Sequence, residues 1–95
     1  MIKESSYFEG NVKSLGFDND QGTQSVGVML AGTYTFSTGA PERMTVISGA
    51  ISVKFIDNDG IVEYRAGESF EVAGDSSFDV TIAQPTAYLC EYLAK

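Results

Sequence analysis

Phe78-Asp79-Val80-Thr81-Ile82 places an apolar side chain at every second position, with a polar one between. A period of two marks a half-buried strand, because successive side chains leave the pleated backbone on opposite faces. Ile51-Ser52-Val53-Lys54-Phe55 repeats the pattern, and Thr33-Tyr34-Thr35-Phe36-Ser37-Thr38 alternates hydroxyls with aromatics. Between such runs lie Asp57-Asn58-Asp59-Gly60, Ala66-Gly67-Glu68 and Ala73-Gly74-Asp75-Ser76-Ser77. These residues tolerate positive φ or hydrogen-bond their own backbone, so they read as turns. The alternation predicts strands over residues 7–17, 24–31, 33–38, 43–48, 50–56, 61–65, 69–72, 78–83 and 86–93. Nine short strands with tight turns and no amphipathic helix must close or stack to protect their edges. The expected fold class is therefore all-β, a sandwich or barrel, with an eight-stranded jelly roll as the simplest form.

Composition narrows the function. The 95 residues suffice for one small domain, residues 1–95, and 43% hydrophobic with 20% charged residues is ordinary for a globular chain. A single cysteine permits no internal disulfide and no cysteine zinc cluster. Cys90, within Ala87-Tyr88-Leu89-Cys90-Glu91-Tyr92-Leu93, reads as a small apolar core residue rather than a nucleophile. The absence of histidine removes the Ser-His-Asp and Cys-His triads, a histidine general base and histidine metal ligands. Thirteen acids against six bases give a net charge of −7, which disfavours nucleic-acid polymers and anionic membrane surfaces as partners. Seven of the acids, Asp57, Asp59, Glu63, Glu68, Glu71, Asp75 and Asp79, fall in residues 57–79 against Arg65 alone. The segments around Lys13 and Glu42 are nearly balanced, so an anion would meet least repulsion on that side. Neither a secretory leader nor a membrane-spanning helix is legible, so a soluble cytoplasmic protein is expected. Tyr88 and Tyr92 alternate with Leu89 and Leu93, so both faces of the last strand can be covered. That predicts a homodimer formed by sheet packing.

The segment Thr35-Phe36-Ser37-Thr38-Gly39-Ala40-Pro41-Glu42-Arg43-Met44-Thr45-Val46-Ile47-Ser48-Gly49 runs strand, proline loop, strand, glycine turn, with Glu42 and Gly49 spaced E-x6-G. Gly67-Glu68-Ser69-Phe70-Glu71-Val72-Ala73-Gly74 is a turn, a strand and a turn. Together they resemble the two motifs of the cupin superfamily, which implies a small jelly-roll barrel. Metal-binding cupins carry histidines where this chain has Thr35 and Ser37, and a third near Phe78; only Glu42 remains of the ligand set. One carboxylate and two hydroxyls make a poor transition-metal site, so a metal-free cupin with no cofactor is expected.

The likeness extends further. Tyr7-Phe8-x-Gly10-x-Val12-Lys13-Ser14-x-Gly16-Phe17, Ser25-Val26-Gly27-Val28-Met29, Tyr34-Thr35-Phe36-Ser37-Thr38, Pro41-Glu42-x-Met44-Thr45-Val46-Ile47-Ser48-Gly49-Ala50 and Tyr88-Leu89-Cys90-x-Tyr92-Leu93 resemble the small bacterial pyrimidine/purine nucleoside phosphorylases. The match runs in order along nearly the whole chain. It departs in the turns, with Ala73 where the family pattern has proline. Arg43, Lys54 and Arg65 vary in type, which argues against catalytic roles for them. The resemblance implies phosphorolysis, in which a nucleoside and inorganic phosphate give ribose 1-phosphate and a free purine or pyrimidine.

The residues permit such chemistry. Phosphate brings its own nucleophile and negative charge to an oxocarbenium-like transition state, so positioning and electrostatics can supply most of the acceleration. Glu42 could bind ribose hydroxyls, or protonate the leaving base if burial raised its pKa; otherwise it caps the Pro41 loop. Thr35 and Ser37, expected on one face, and the neighbouring Thr38 could hold sugar or phosphate, or be ordinary strand residues. Lys13 is a candidate phosphate contact, its plainer role being a solvated lysine on an edge strand. Phe36, Met44 and Tyr34 could enclose a base or simply fill the core; enclosure by stacking would accept any aromatic ring. Two other readings share these residues. One is a non-catalytic cupin binding a small sugar or nucleoside. The other is a sugar epimerase, which normally needs the histidine base this chain lacks.

Overall fold

The computed structural model describes residues 1–93. Ten strands form the fold: β1 (Lys3–Tyr7), β2 (Val12–Asn19), β3 (Gly22–Met29), β4 (Gly32–Ser37), β5 (Glu42–Ser48), β6 (Ala50–Phe55), β7 (Val62–Arg65), β8 (Ser69–Val72), β9 (Ser77–Ile82) and β10 (Thr86–Tyr92). All pairings are antiparallel. Six strands make one sheet in the order β1-β2-β3-β10-β5-β8, and four make the other, β4-β9-β6-β7. The two sheets enclose a jelly-roll core.

The expected strand over 7–17 is two strands. Phe8, Glu9 and Gly10 all take positive φ, at 52°, 59° and 88°, and break the run between Tyr7 and Val12. β1, with the sequence Lys-Glu-Ser-Ser-Tyr, carries no apolar alternation, so pairing with β2 rather than its own pattern makes it a strand.

Val12, Met29, Val46, Ile51, Val53 and Val80 are completely or almost completely buried between the sheets. Each supplies roughly 1.5–3 kcal/mol of transfer free energy relative to exposure. The chain moves from the large sheet to the small one at Gly49, with only that residue between β5 and β6. Its φ of +94° is a left-handed conformation, and a Cβ there would collide with the Thr86 hydroxyl. That hydroxyl accepts from the Ala50 N–H at 3.3 Å and lies 3.1 Å from the Ala50 carbonyl, to which it donates. Thr86 thus ties the corner to β10.

Candidate functional site

Glu42 opens β5 directly after the Pro41 loop. The Pro41 carbonyl accepts from the Leu93 N–H at 2.8 Å, and the next residue pairs with Tyr92 across the β5–β10 ladder. Two residues along, Met44 pairs with Cys90, which on its other side pairs with Ser25 of β3. These alternate positions all face inward, where they line a cavity of about 140 Å3. Aromatic Phe36 and Phe78 line it too, stacked with ring centroids 5.7 Å apart.

The polar groups of this cavity lie on neighbouring strands. The Cys90 thiol donates to Glu42 Oε1 at 3.4 Å, and the Tyr92 and Ser25 hydroxyls share a hydrogen bond of 3.2 Å. Burial pushes the Glu42 carboxyl above its ordinary value, against a smaller lowering by the Cys90 hydrogen bond. Burial and the adjacent carboxylate push the Cys90 thiol strongly upward, so it stays protonated and acts as a donor. Tyr88 and Tyr92 are likewise held neutral chiefly by burial. The result is a half-buried carboxyl that accepts a proton readily, walled by aromatic and hydroxyl groups. It can bind sugar hydroxyls or deliver a proton.

Tyr88 reaches its place because its partner across the ladder is Gly27. A Cβ at Gly27 would fall 2.5 Å from the Tyr88 hydroxyl and 2.8 Å from the Lys13 carbonyl. The phenol therefore occupies the space that any side chain at 27 would need.

The residues singled out in the sequence divide. Glu42, Phe36, Ser37 and Met44 line the cavity together. Thr35 does not: it is exposed, and its hydroxyl donates to Asp79 Oδ1 at 2.7 Å across the β4–β9 pair. Thr38 is buried beside the loop after β8, donating to the Ala73 carbonyl at 2.7 Å and accepting from the Ser76 N–H at 3.0 Å. It holds a loop. Lys13 stands on the outer face of the large sheet, lining a groove with Leu15, Val28 and Ile47, and the structure does not bring it to Glu42. Tyr34 is core, with its hydroxyl donating to the Leu30 carbonyl at 2.7 Å. Cys90 needs correction as well. It is buried as expected, but its thiol is a polar contact of Glu42 rather than mere apolar filling. Sequence reasoning also missed Tyr7, Ser14, Ser25 and Tyr92 as cavity residues.

The positions matching the histidines of metal-binding cupins do not make a transition-metal donor set. Thr35 faces out and Phe78 has no donor, so of that set Glu42 and Ser37 alone bring a donor atom to the cavity. Among the described residues, no three of His, Cys, Asp and Glu cluster as metal ligands. Nor is any described helix long and apolar enough to cross a membrane.

A family model described as pyrimidine/purine nucleoside phosphorylase matches residues 2–92. The chain belongs to the pyrimidine/purine nucleoside phosphorylase family. A family member from Vibrio cholerae is 59% identical over 93 residues, covering 98% of both chains. Among solved structures, a protein of unknown function from Vibrio parahaemolyticus superposes with a TM-score of 0.95 at 57% identity, over 98% of this chain and 99% of that one. A putative ethanolamine utilization protein Q from Salmonella typhimurium superposes at 0.72 with 11% identity, over 95% and 91% of the two chains, and shares the fold alone. The family assignment supports a nucleoside phosphorylase role, and the chain folds as the cupin jelly roll that the resemblance implied.

Proposed function

We propose that the protein cleaves purine and pyrimidine nucleosides with inorganic phosphate, giving ribose 1-phosphate and the free base, with Glu42 as the acid that protonates the leaving base. The observation that carries this is the half-buried Glu42 carboxyl, raised toward its protonated form in an aromatic-walled cavity. In the reaction a phosphate oxygen bonds to C1′ of the ribose as the C1′–N bond breaks. The electron pair of that bond stays on the base nitrogen, which takes the Glu42 proton. The ribose 1-phosphate then gives Glu42 the proton that hydrogenphosphate brought in, so the enzyme ends as it began. A buried acid positioned this way contributes about 10²–10⁴-fold. Phe36 and Phe78 supply a stacking surface that accepts either class of base.

Incubation of the protein with uridine and with adenosine, each with and without phosphate, tests this reading. Base release that requires phosphate is expected for both. Equal release without phosphate would identify a hydrolase, and no release in any condition would leave a non-catalytic binding module. Retained nucleoside binding in Glu42→Gln, with turnover lost, separates catalysis from binding.

The outer face of the large sheet supports the homodimer. Leu15, Val28 and Ile47 keep 43%, 48% and 53% exposure there, around a groove of about 810 Å3. We infer that a second copy packs on this face, which would cover apolar surface that a monomer leaves wet. A cytoplasmic location fits the same reading, since nucleosides and phosphate are both available there.

A further inference from the structure

The cavity beside Glu42 adjoins a second compartment. Tyr7, Ser14, Ser25 and Tyr92 line both, and the second measures about 320 Å3. The inner one alone is below the roughly 300 Å3 at which small-molecule sites begin, so a nucleoside and phosphate together need both. Among the described residues, Lys3 is the only cationic side chain lining either compartment. We propose that the outer compartment is the phosphate subsite and that Lys3 is its cation, an inference that rests on the phosphorolytic reading above.

The sheet geometry argues for this directly. Lys3 pairs with Gly16, Gly16 with Ser25, Ser25 with Cys90 and Cys90 with Met44. One cross-strand row therefore runs along the inner face from Lys3 to the middle of the cavity. Gly16 contributes no side chain to it, so the row itself leaves an opening between Lys3 and Ser25, whose hydroxyl is hydrogen-bonded to Tyr92. Their backbones are two strand spacings apart, about 10 Å, a span that an extended lysine, an oxyanion and a serine would fill.

Lys3 is also available. Arg43 is held by Glu71 and Glu91, and Arg65 by Glu63, whereas no ion pair among the described residues engages Lys3. Asp18, the carboxylate at this compartment's wall, is engaged by the Thr23 hydroxyl at 2.5 Å. β1 and β8 are opposite edges of the large sheet, so Glu68 and Glu71 beside and on β8 lie at the far side from Lys3. A lysine ammonium binds phosphate as a point charge, and needs only to lie where the anion approaches C1′. Ser25 and Tyr92, shared by both compartments, mark where phosphate and sugar would meet.

Two measurements on Lys3→Met, Lys3→Arg and Gly16→Val test the subsite. Calorimetric titration with inorganic phosphate should show about tenfold weaker binding in Lys3→Met, near-normal binding in Lys3→Arg, and loss in Gly16→Val, whose side chain blocks the row. Steady-state assays should show the same order in KM for phosphate, with kcat for Lys3→Met within about threefold of the parent. Inhibition by a nucleoside 5′-monophosphate separates the two sources of a phosphate group. A Lys3 effect on that inhibition but not on KM for phosphate would overturn the proposal. Phosphate-dependent turnover with unchanged phosphate binding in Lys3→Met would also overturn it while leaving the phosphorylase reading intact. Lys3-dependent phosphate binding without nucleoside turnover would support the subsite and sink that reading instead.

Discussion

The two faces of the six-stranded sheet are built from the same strands and serve different ends. On the inner face, Ser14, Ser25, Cys90, Tyr92 and Glu42 turn polar groups into a small cavity. On the outer face, one residue away along the same strands, Lys13, Leu15, Val28 and Ile47 line an exposed and mostly apolar groove. A strand assigns its residues to the two faces by parity, so the side chains of sequence neighbours such as Lys13 and Ser14 leave opposite faces of the sheet. Adjacency in the sequence therefore says little about adjacency in the site.

If the inner face carries the chemistry, Glu42→Gln should break it alone. Turnover should fall at least about 100-fold, while sedimentation shows an unchanged assembly. A fall of less than fivefold would remove Glu42 as the proton donor. Gly27→Val drives a side chain into the Tyr88 phenol and should destabilise the protein by about 2–3 kcal/mol. For a chain of this size that lowers Tm by about 8–24 °C, readable by calorimetry. Ile47→Asp acts on the other face. If two copies pack there, it should weaken self-association by about tenfold or more in sedimentation, and retention of the parent's assembly would remove this face as the contact.

The smallest effect concerns stability and pH. The folded protein raises the Glu42 pKa, so the folded state is less favourable when that carboxyl is charged. The sign follows from proton linkage: full stability is present below the unfolded glutamate pKa and declines as pH rises through the folded value. Glu42→Gln removes the penalty, so its Tm at pH 7 should exceed the parent's. Partial solvent screening holds the gain under about 1 kcal/mol, or below roughly 8 °C, and it should vanish near pH 4. A lower Tm for the variant at pH 7 would mean that the charged carboxyl is stabilised in the fold.

These contrasts also explain what the sequence shows and hides. β6 and β9 were legible because Val53 and Val80 alternate with polar residues in strands that are half buried. β1 was hidden, because Lys3-Glu4-Ser5-Ser6-Tyr7 has no apolar period and gains its strand from pairing with β2. Glu42 could be singled out by its spacing to Gly49. Its neighbours Cys90, Tyr92 and Ser25 could not, since a register between strands about fifty to seventy residues apart leaves no local mark. Thr35 illustrates the opposite error. Its hydroxyl sits at a cupin ligand position, but an outward turn gives it to Asp79.

β10 is the last of the ten strands to be synthesised, and it belongs in the middle of the large sheet, between β3 and β5. Until it emerges from the ribosome, those two strands have no shared neighbour and present open edges to other nascent chains. Tyr88, Cys90 and Tyr92 arrive with it. Translation must therefore pass Tyr92 before either the complete sheet or its cavity exists. A product interrupted before Thr86 would lack both, and would offer two unpaired edges to the cell's proteases and chaperones.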